Sequence, residues 1–390
     1  MLALLLPALA ALPAFSAALI RGPYLEGVSA RSAWICWRTE VPTEGVLELR
    51  ALPDGDAVER RDGEPKRQHC LEAAGLGPGG LNEYRLRWRQ RGGPWVSSST
   101  HSFRAAALPG GSVRFAVFGD SGRATREQAA VAARVLEARP EFILHTGDVV
   151  YPTGEDYDYD KKYFAQYAPL LDHVPFYFGI GNHDYANLAR DAAKGRAWLR
   201  ENWFAVHHNP SGVPPERTYY SFDWGAGHFV SVDANAGYPL AAAPSVEPGG
   251  EMWAWLDRDL AASTAPWKIV FLHIPPYASG GHGFNALLAK NLGPLFEKRG
   301  VDVIFQGHDH DYERTYPIAG GERAERGPVY VTVGTGGAPL YKKTQEHAWT
   351  EVFKEVYGFL EVTLEPARLR GRAVAIDGSF FDTFELKKPR

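Results

Sequence analysis

The chain has 390 residues, 45% hydrophobic and 23% charged, enough apolar material for two or three packed domains and too much for a disordered chain. Its formal net charge is −4 and it carries no long Lys/Arg run, which excludes a nucleic acid held as a stable partner through its phosphates. No stretch beyond the N-terminus is long and apolar enough to span a bilayer.

The first residues, MLALLLPALAALPAFSA, are apolar and end in small side chains. They predict a signal peptide over residues 1–18, cleaved near Ala17 or Ala18, and so a secreted or periplasmic protein; a disordered N-terminus is the plainer alternative. A Lys or Arg beside Met1 is missing. Cys36 and Cys70 are the two cysteines and have no CxxC spacing. In an exported protein they could pair, and a structural role, bonded or free, fits them better than catalysis or metal binding.

Residues 19–107 read as all-β. SAWICWRT, GVLELR, NEYRLRWRQ and STHSFRA alternate apolar and polar residues, with Gly/Pro turns between them. Such spacing predicts a small antiparallel sandwich. The linker LPGGS spans 108–112.

Residues 112–388 change texture. The strands VRFAVF, EFILH, FYFGI, GHFVSV, WKIVFLH and VDVIFQ are separated by helical runs such as REQAAVAARVLEARP, YDKKYFAQYAPLLDHVP, EMWAWLDRDLAAS and NALLAKNLGPLFEKRG. The pattern predicts a layered α/β domain with buried strands, closed by antiparallel strands in the tail from Tyr357.

Polar clusters follow the carboxyl ends of five of these strands: Asp120 in GDSG, Asp148 and Tyr151 in GDVVY, Asn182 and His183 in GNHD, His273 in VFLH, and His308 and His310 in GHDH. Strand ends of an open α/β sheet share one crevice. On an extended segment His308 and His310 point to the same side and could reach one point together. On that motif alone, a polar loop with satisfied histidines stands level with a metal site. The full set of mixed oxygen and nitrogen donors suits first-row metals. Leaving His183 aside, the seven donors exceed what one ion with an open position can use, whereas two ions sharing a carboxylate account for them.

In this order the motifs GDSG, GDVVY, GNHD, VFLH and GHDHDYER resemble the metallophosphoesterase superfamily, and GDVVY, with its tyrosine, is similar to the purple acid phosphatases. IRGPYLEG and SAWICWRT resemble the fibronectin III-like domain that precedes their catalytic domain. The resemblance implies an αββα sandwich after an all-β fibronectin III-like sandwich. It implies Asp120, Asp148, Tyr151 and His310 as ligands of a ferric site. Asp148, Asn182, His273 and His308 would hold a divalent ion (Zn, Fe or Mn), with Asp148 bridging. His183 matches a histidine that contacts the phosphoryl or leaving group. His282, in SGGHG, lies near a substrate-side histidine of the plant enzymes, within a different local pattern. Asp184 stands where plant members have Glu, a position the family uses structurally. The implied activity is hydrolysis of small phosphate monoesters by a hydroxide attacking phosphorus in line. A phosphodiesterase acting on nucleotides or phospholipid head groups is the alternative, and a non-catalytic extracellular binding protein a more distant one. Nothing here sets the oligomeric state.

Other polar residues have plainer readings. His207 and His208 suggest a solvated loop, and Asp156, Asp158 and Asp160 a solvated helix start. His145 suggests a packed or hydrogen-bonded ring, and Arg314 a structural ion pair.

Overall fold

The computed structural model describes residues 17–186, 191–238 and 240–388. All but the last two residues of the expected signal segment lie outside the described residues.

The N-terminal part is all-β and organised by one long strand, Ser32–Ala51. Its first half pairs with Leu19–Glu26 and Lys66–Ala74, its second half with Ala57–Arg61 and Leu81–Arg89. The register shifts between Arg38 and Thr43, where one partner gives way to the other. One strand thereby serves both layers, and the alternation Ala33, Ile35, Trp37 buries one face. Cys36 stands opposite Cys70 in register, and the two are disulfide-bonded.

Two sheets form the rest. The first runs in the order Phe176–Phe178, Phe142–His145, Val113–Phe118, Gly358–Glu365, Arg368–Ala375, Phe380–Lys387. The second runs Tyr220–Trp224, Gly227–Val232, Trp267–Leu272, Val303–Gln306, Val329–Val333, Tyr312–Thr315, Thr350–Lys354. Three strands of the first sheet are mutually parallel, as are four of the second. The expected antiparallel tail extends the first sheet from Val113–Phe118 outward.

Aromatic rings join the sheets. Phe115 stacks on Phe142 (5.0 Å) and meets Phe229 of the other sheet edge-on (5.3 Å). On the outer face of the second sheet, Met252, Leu256 and Leu260 of helix Glu251–Ala262 pack with Leu288, Leu292 and Phe296 of helix Ala286–Arg299. Thr125 and Asn285 cap two helices by accepting from the backbone N–H three residues on, which satisfies a first-turn donor.

Two expectations need correcting. A helix does start over Asp156, Asp158 and Asp160, and Asp160 is exposed, but this start is not simply solvated: Arg21 of the N-terminal strands pairs with Asp156 and Asp160, and Arg38 with Asp156. His207 is not on a solvated loop. Its ring is buried against Phe178 (4.2 Å) and Trp203 (4.4 Å), and His208 is half-buried beside Trp34. This segment folds under the N-terminal sheet, a contact that local polarity does not encode. No helix among the described residues is long and apolar enough to cross a membrane.

Candidate metal centre

The parallel strands of both sheets direct their carboxyl ends to one seam. Asp120 follows Val113–Phe118, Asp148 and Tyr151 follow Phe142–His145, and Asn182 and His183 follow Phe176–Phe178. From the second sheet, His273 follows Trp267–Leu272, and His308 and His310 follow Val303–Gln306. All seven candidate ligands are buried, none more than 5% exposed.

The donors fall into two groups. In one, the Tyr151 hydroxyl lies 3.1 Å from Asp120 Oδ1 and 3.0 Å from His310 Nε2, and those two atoms are 3.5 Å apart. In the other, His273 Nε2 lies 3.1 Å from Asn182 Oδ1 and 3.3 Å from Asp148 Oδ1, with the His308 ring 5.1 Å from that of His273. Asp148 stands between the groups: Asp120, Asp148 and His273 each offer a ligand atom within 4.8 Å of the others.

His308 and His310 part company. GHDH is not extended but a succession of tight turns, with Asp309 N–H donating to Gly307 O and Asp311 N–H to Asp309 O. His308 has φ +69°, and that left-handed residue sends the two rings to different groups. Asp120 (φ +55°) and Asp148 (φ +52°) are left-handed as well. Such backbone costs about 1 kcal/mol or more per residue and accumulates at functional sites.

Neighbouring backbone fixes the donor atoms. His273 Nδ1 donates to Thr146 O and His310 Nδ1 to Pro339 O, both at 2.8 Å, which leaves each Nε2 facing its group. Asp184 accepts from the N–H groups of Asp148 (3.0 Å), Val149 (3.0 Å) and Gly181 (2.8 Å), holding the Asp148 loop from below. Asp309, the residue between the two histidines, accepts from His282 N–H (2.6 Å) and Gly283 N–H (3.0 Å) and so positions the SGGHG loop. The exposed His282 ring stacks on His308 at 3.8 Å. His183, a quarter exposed, points Nε2 toward Asp148 Oδ2 at 3.9 Å.

These residues fit cations. Asp120 and Asp148 are buried, and among the described residues no Lys or Arg pairs with either. Uncompensated buried carboxylates are costly unless paired or bound to a metal. A neutral His273, with its proton on Nδ1, aims a lone pair at two oxygens, so either a proton or a cation has to sit among them. Without a cation the proton does: burial opposes it, but Asp148 and Asp120 raise the imidazole to about 9. The Tyr151 phenol is pushed well above its ordinary value by burial and by the Asp148 and Asp120 carboxylates. A cation reverses that sign. The space is also reserved: a Cβ on Gly181 would lie 2.1 Å from Asp148 Oδ1, and one on Gly307 2.6 Å from Asp120 Oδ2.

Sequence reasoning passed over some neighbours. Tyr341 stacks on the outer His310 ring (4.2 Å, 13°), and Arg123 covers the Tyr151 ring at 4.2 Å. Arg123 directly follows GDSG, a position that could have drawn notice; Tyr341 lies in a Gly/Pro loop with no such mark. His145 bonds Ser121 Oγ (2.9 Å) beneath the site, and Arg314 pairs with Asp382 and Glu351 away from it.

Residues 113–312, more than half of the chain, match the model of the calcineurin-like phosphoesterases. Over 72% of its length the chain is 30% identical to Purple acid phosphatase 15 of Arabidopsis thaliana, covering 55% of that protein. It is 25% identical to Probable inactive purple acid phosphatase 9 of the same plant, over 64% of this chain and 43% of the relative. The chain thus spans about half the length of these curated relatives. The solved structure of purple acid phosphatase PPD1 from yellow lupin (Lupinus luteus) superposes with a TM-score of 0.82 over 94% of this chain and 74% of the lupin one, at 21% identity. A structure of PhoD does so with 0.71 at 13% identity, over 94% of this chain and 89% of that one. These two likenesses give the shared metallophosphoesterase fold. With the motif order and the sheet-end geometry, the family-model match leads to one conclusion: the chain belongs to the calcineurin-like phosphoesterase family and resembles its purple acid phosphatases.

Proposed function

We propose that the chain hydrolyses small phosphate monoesters at a dinuclear centre. Asp120, Tyr151 and His310 would hold a ferric ion, Asn182, His273 and His308 a divalent ion, and Asp148 both. The observation that carries this reading is the pair of buried carboxylates, Asp120 and Asp148, close to His273 and, among the described residues, without a paired Lys or Arg. When bound, such cations neutralise phosphate oxygens and lower the pKa of water toward neutrality. The chain's own residues do the rest. Water oxygen bonds to phosphorus, the ester P–O bond opposite breaks, and the leaving oxygen takes a proton. His183 and His282 stand at the rim to orient the phosphoryl group and supply that proton.

The N-terminal sheet, residues 19–107, acts as a fibronectin III-like support for a catalytic domain at 112–388. The bonded Cys36–Cys70 pair and the apolar start support export after removal of residues 1–18. Phosphate release from p-nitrophenyl phosphate tests the activity. Faster turnover of bis-(p-nitrophenyl) phosphate would favour the diesterase reading.

A further inference from the structure

Arg123 lies three residues after Asp120 and is not among the candidate ligands. Its loop is fixed. The N–H groups of Arg123 and Ala124 donate to Oε1 of buried Gln128 at 3.1 and 2.8 Å. Tyr151 N–H donates to Gly122 O at 2.9 Å, which ties this loop to that of Tyr151. The side chain is exposed, and its guanidinium carbon sits 4.2 Å from the centre of the Tyr151 ring. Cation–π contact of this kind holds the group in place while leaving its edge open.

Among the described residues the Arg123 guanidinium makes no ion pair and no side-chain hydrogen bond. Its forked N–H donors, which match phosphate oxygens in geometry, are therefore open to solvent beside Tyr151. Tyr341, on His310, lies near enough to feel the charge of Arg123. Its phenol is pushed up to about 12 by burial and by Asp120, Asp309 and Asp148, with the charge of Arg123 opposing them.

The position relative to Tyr151 decides what Arg123 can bind. The hydroxyl edge of Tyr151 belongs to the donor cluster, whereas Arg123 covers the ring face. Its guanidinium thus stands beside the cluster, about one ring's width away. An anion seated on the cluster is served there by the cluster. A second anion attached to it on the side of the Tyr151 ring that Arg123 covers would come within reach of Arg123.

We propose that Arg123 binds a second phosphate of the substrate, adjacent to the scissile one, and so favours phosphoesters that carry two phosphates close together. The inference rests on the phosphohydrolase reading for the identity of the first phosphate.

The test is calorimetric titration of the metal-loaded full chain with methylphosphonate and with methylenediphosphonate, neither of which is hydrolysed. Arg123→Gln should lower the preference for the diphosphonate by about tenfold, the worth of one charge-assisted contact. Arg123→Lys should lower it less, since charge is kept and the fork lost. If Arg123→Gln weakens both ligands equally, or neither, the second-phosphate site is refuted and Arg123 only covers Tyr151. Phosphate release from p-nitrophenyl phosphate by the wild type is scored separately. Failure there removes the hydrolase reading, and the diphosphonate preference still decides the role of Arg123.

Discussion

Arg21, in the first strand of the N-terminal sheet, reaches the C-terminal part of the chain and donates to Asp156 Oδ1 at 2.6 Å from a side chain only 1% exposed. It also donates to the Asp156 carbonyl at 2.6 Å and pairs with Asp160, while Arg38 donates to the other Asp156 oxygen at 2.7 Å. Asp156 begins the helical stretch five residues after Tyr151. Lys162, two residues beyond Asp160, donates to the Tyr151 carbonyl at 2.6 Å. The N-terminal sheet is thereby keyed to the segment that follows a candidate metal ligand.

Arg21 is buried but its carboxylate partners stay partly exposed, so Arg21→Ala should lower the unfolding free energy by only about 1–2 kcal/mol. Denaturant titration of the full chain measures it. A loss within error of zero would mean that the two parts are held by apolar contact alone.

Asp184 satisfies three buried backbone donors under Asp148. Each orphaned donor costs about 1–3 kcal/mol, so Asp184→Ala should be strongly destabilising and should bind metal less tightly than wild type. Asp184→Asn keeps an acceptor oxygen and should retain more of both. Thermal melts with metal analysis of the same samples compare the two. Equal behaviour of Ala and Asn would contradict the buttress.

Tyr151 tests the assignment of the metal. A ferric ion would ionise its phenol against the burial and carboxylates that hold it protonated. Iron-loaded wild type should then show a visible charge-transfer band, and Tyr151→Phe should lose it while the fold survives. An iron-containing wild type without a visible band removes Tyr151 from the ligand set and points to a colourless centre.

Away from the site, His228 bonds Asp223 at 2.7 Å and Asp259 at 2.9 Å. Burial disfavours its charge, but the two carboxylates prevail and raise it to about 9. The stabilisation is complete below the unfolded value of about 6.5 and is lost as pH rises through about 9. Unfolding free energies at about pH 6, 8 and 10 should show this decline in wild type and lack it in His228→Gln. Parallel curves for the two proteins would refute it.

Much of the site was legible because each donor sits directly after an apolar strand, often behind a glycine. Periodicity locates the strands, and parallel strands must share an end. The glycines are legible in hindsight from space: a side chain on Gly181 or Gly307 would overlap a ligand carboxylate. The divergence of His308 from His310 was not legible, because it depends on a left-handed residue that no local rule places at a histidine. Nor were the burial of His207 against Phe178 and the pairing of Asp156 with Arg21, contacts between segments 29 and 135 residues apart. The helix expected from Tyr159 to Pro175 ends at Leu171, and a π-helical turn at Asp160–Phe164 interrupts it without a sequence signal.

The most direct test of the account is metal content and phosphate release measured together on wild type and Asp148→Asn. Asp148 stands between the donor groups, so its loss should cost both the shared ligand and the activity. The prediction is about two metal ions per wild-type chain, release of phosphate from p-nitrophenyl phosphate that chelation abolishes, and a fall of about a thousandfold or more in Asp148→Asn with less metal retained. An Asp148→Asn protein that keeps both ions and near-normal turnover, or a wild type that releases phosphate undiminished after its metal is stripped, would contradict it.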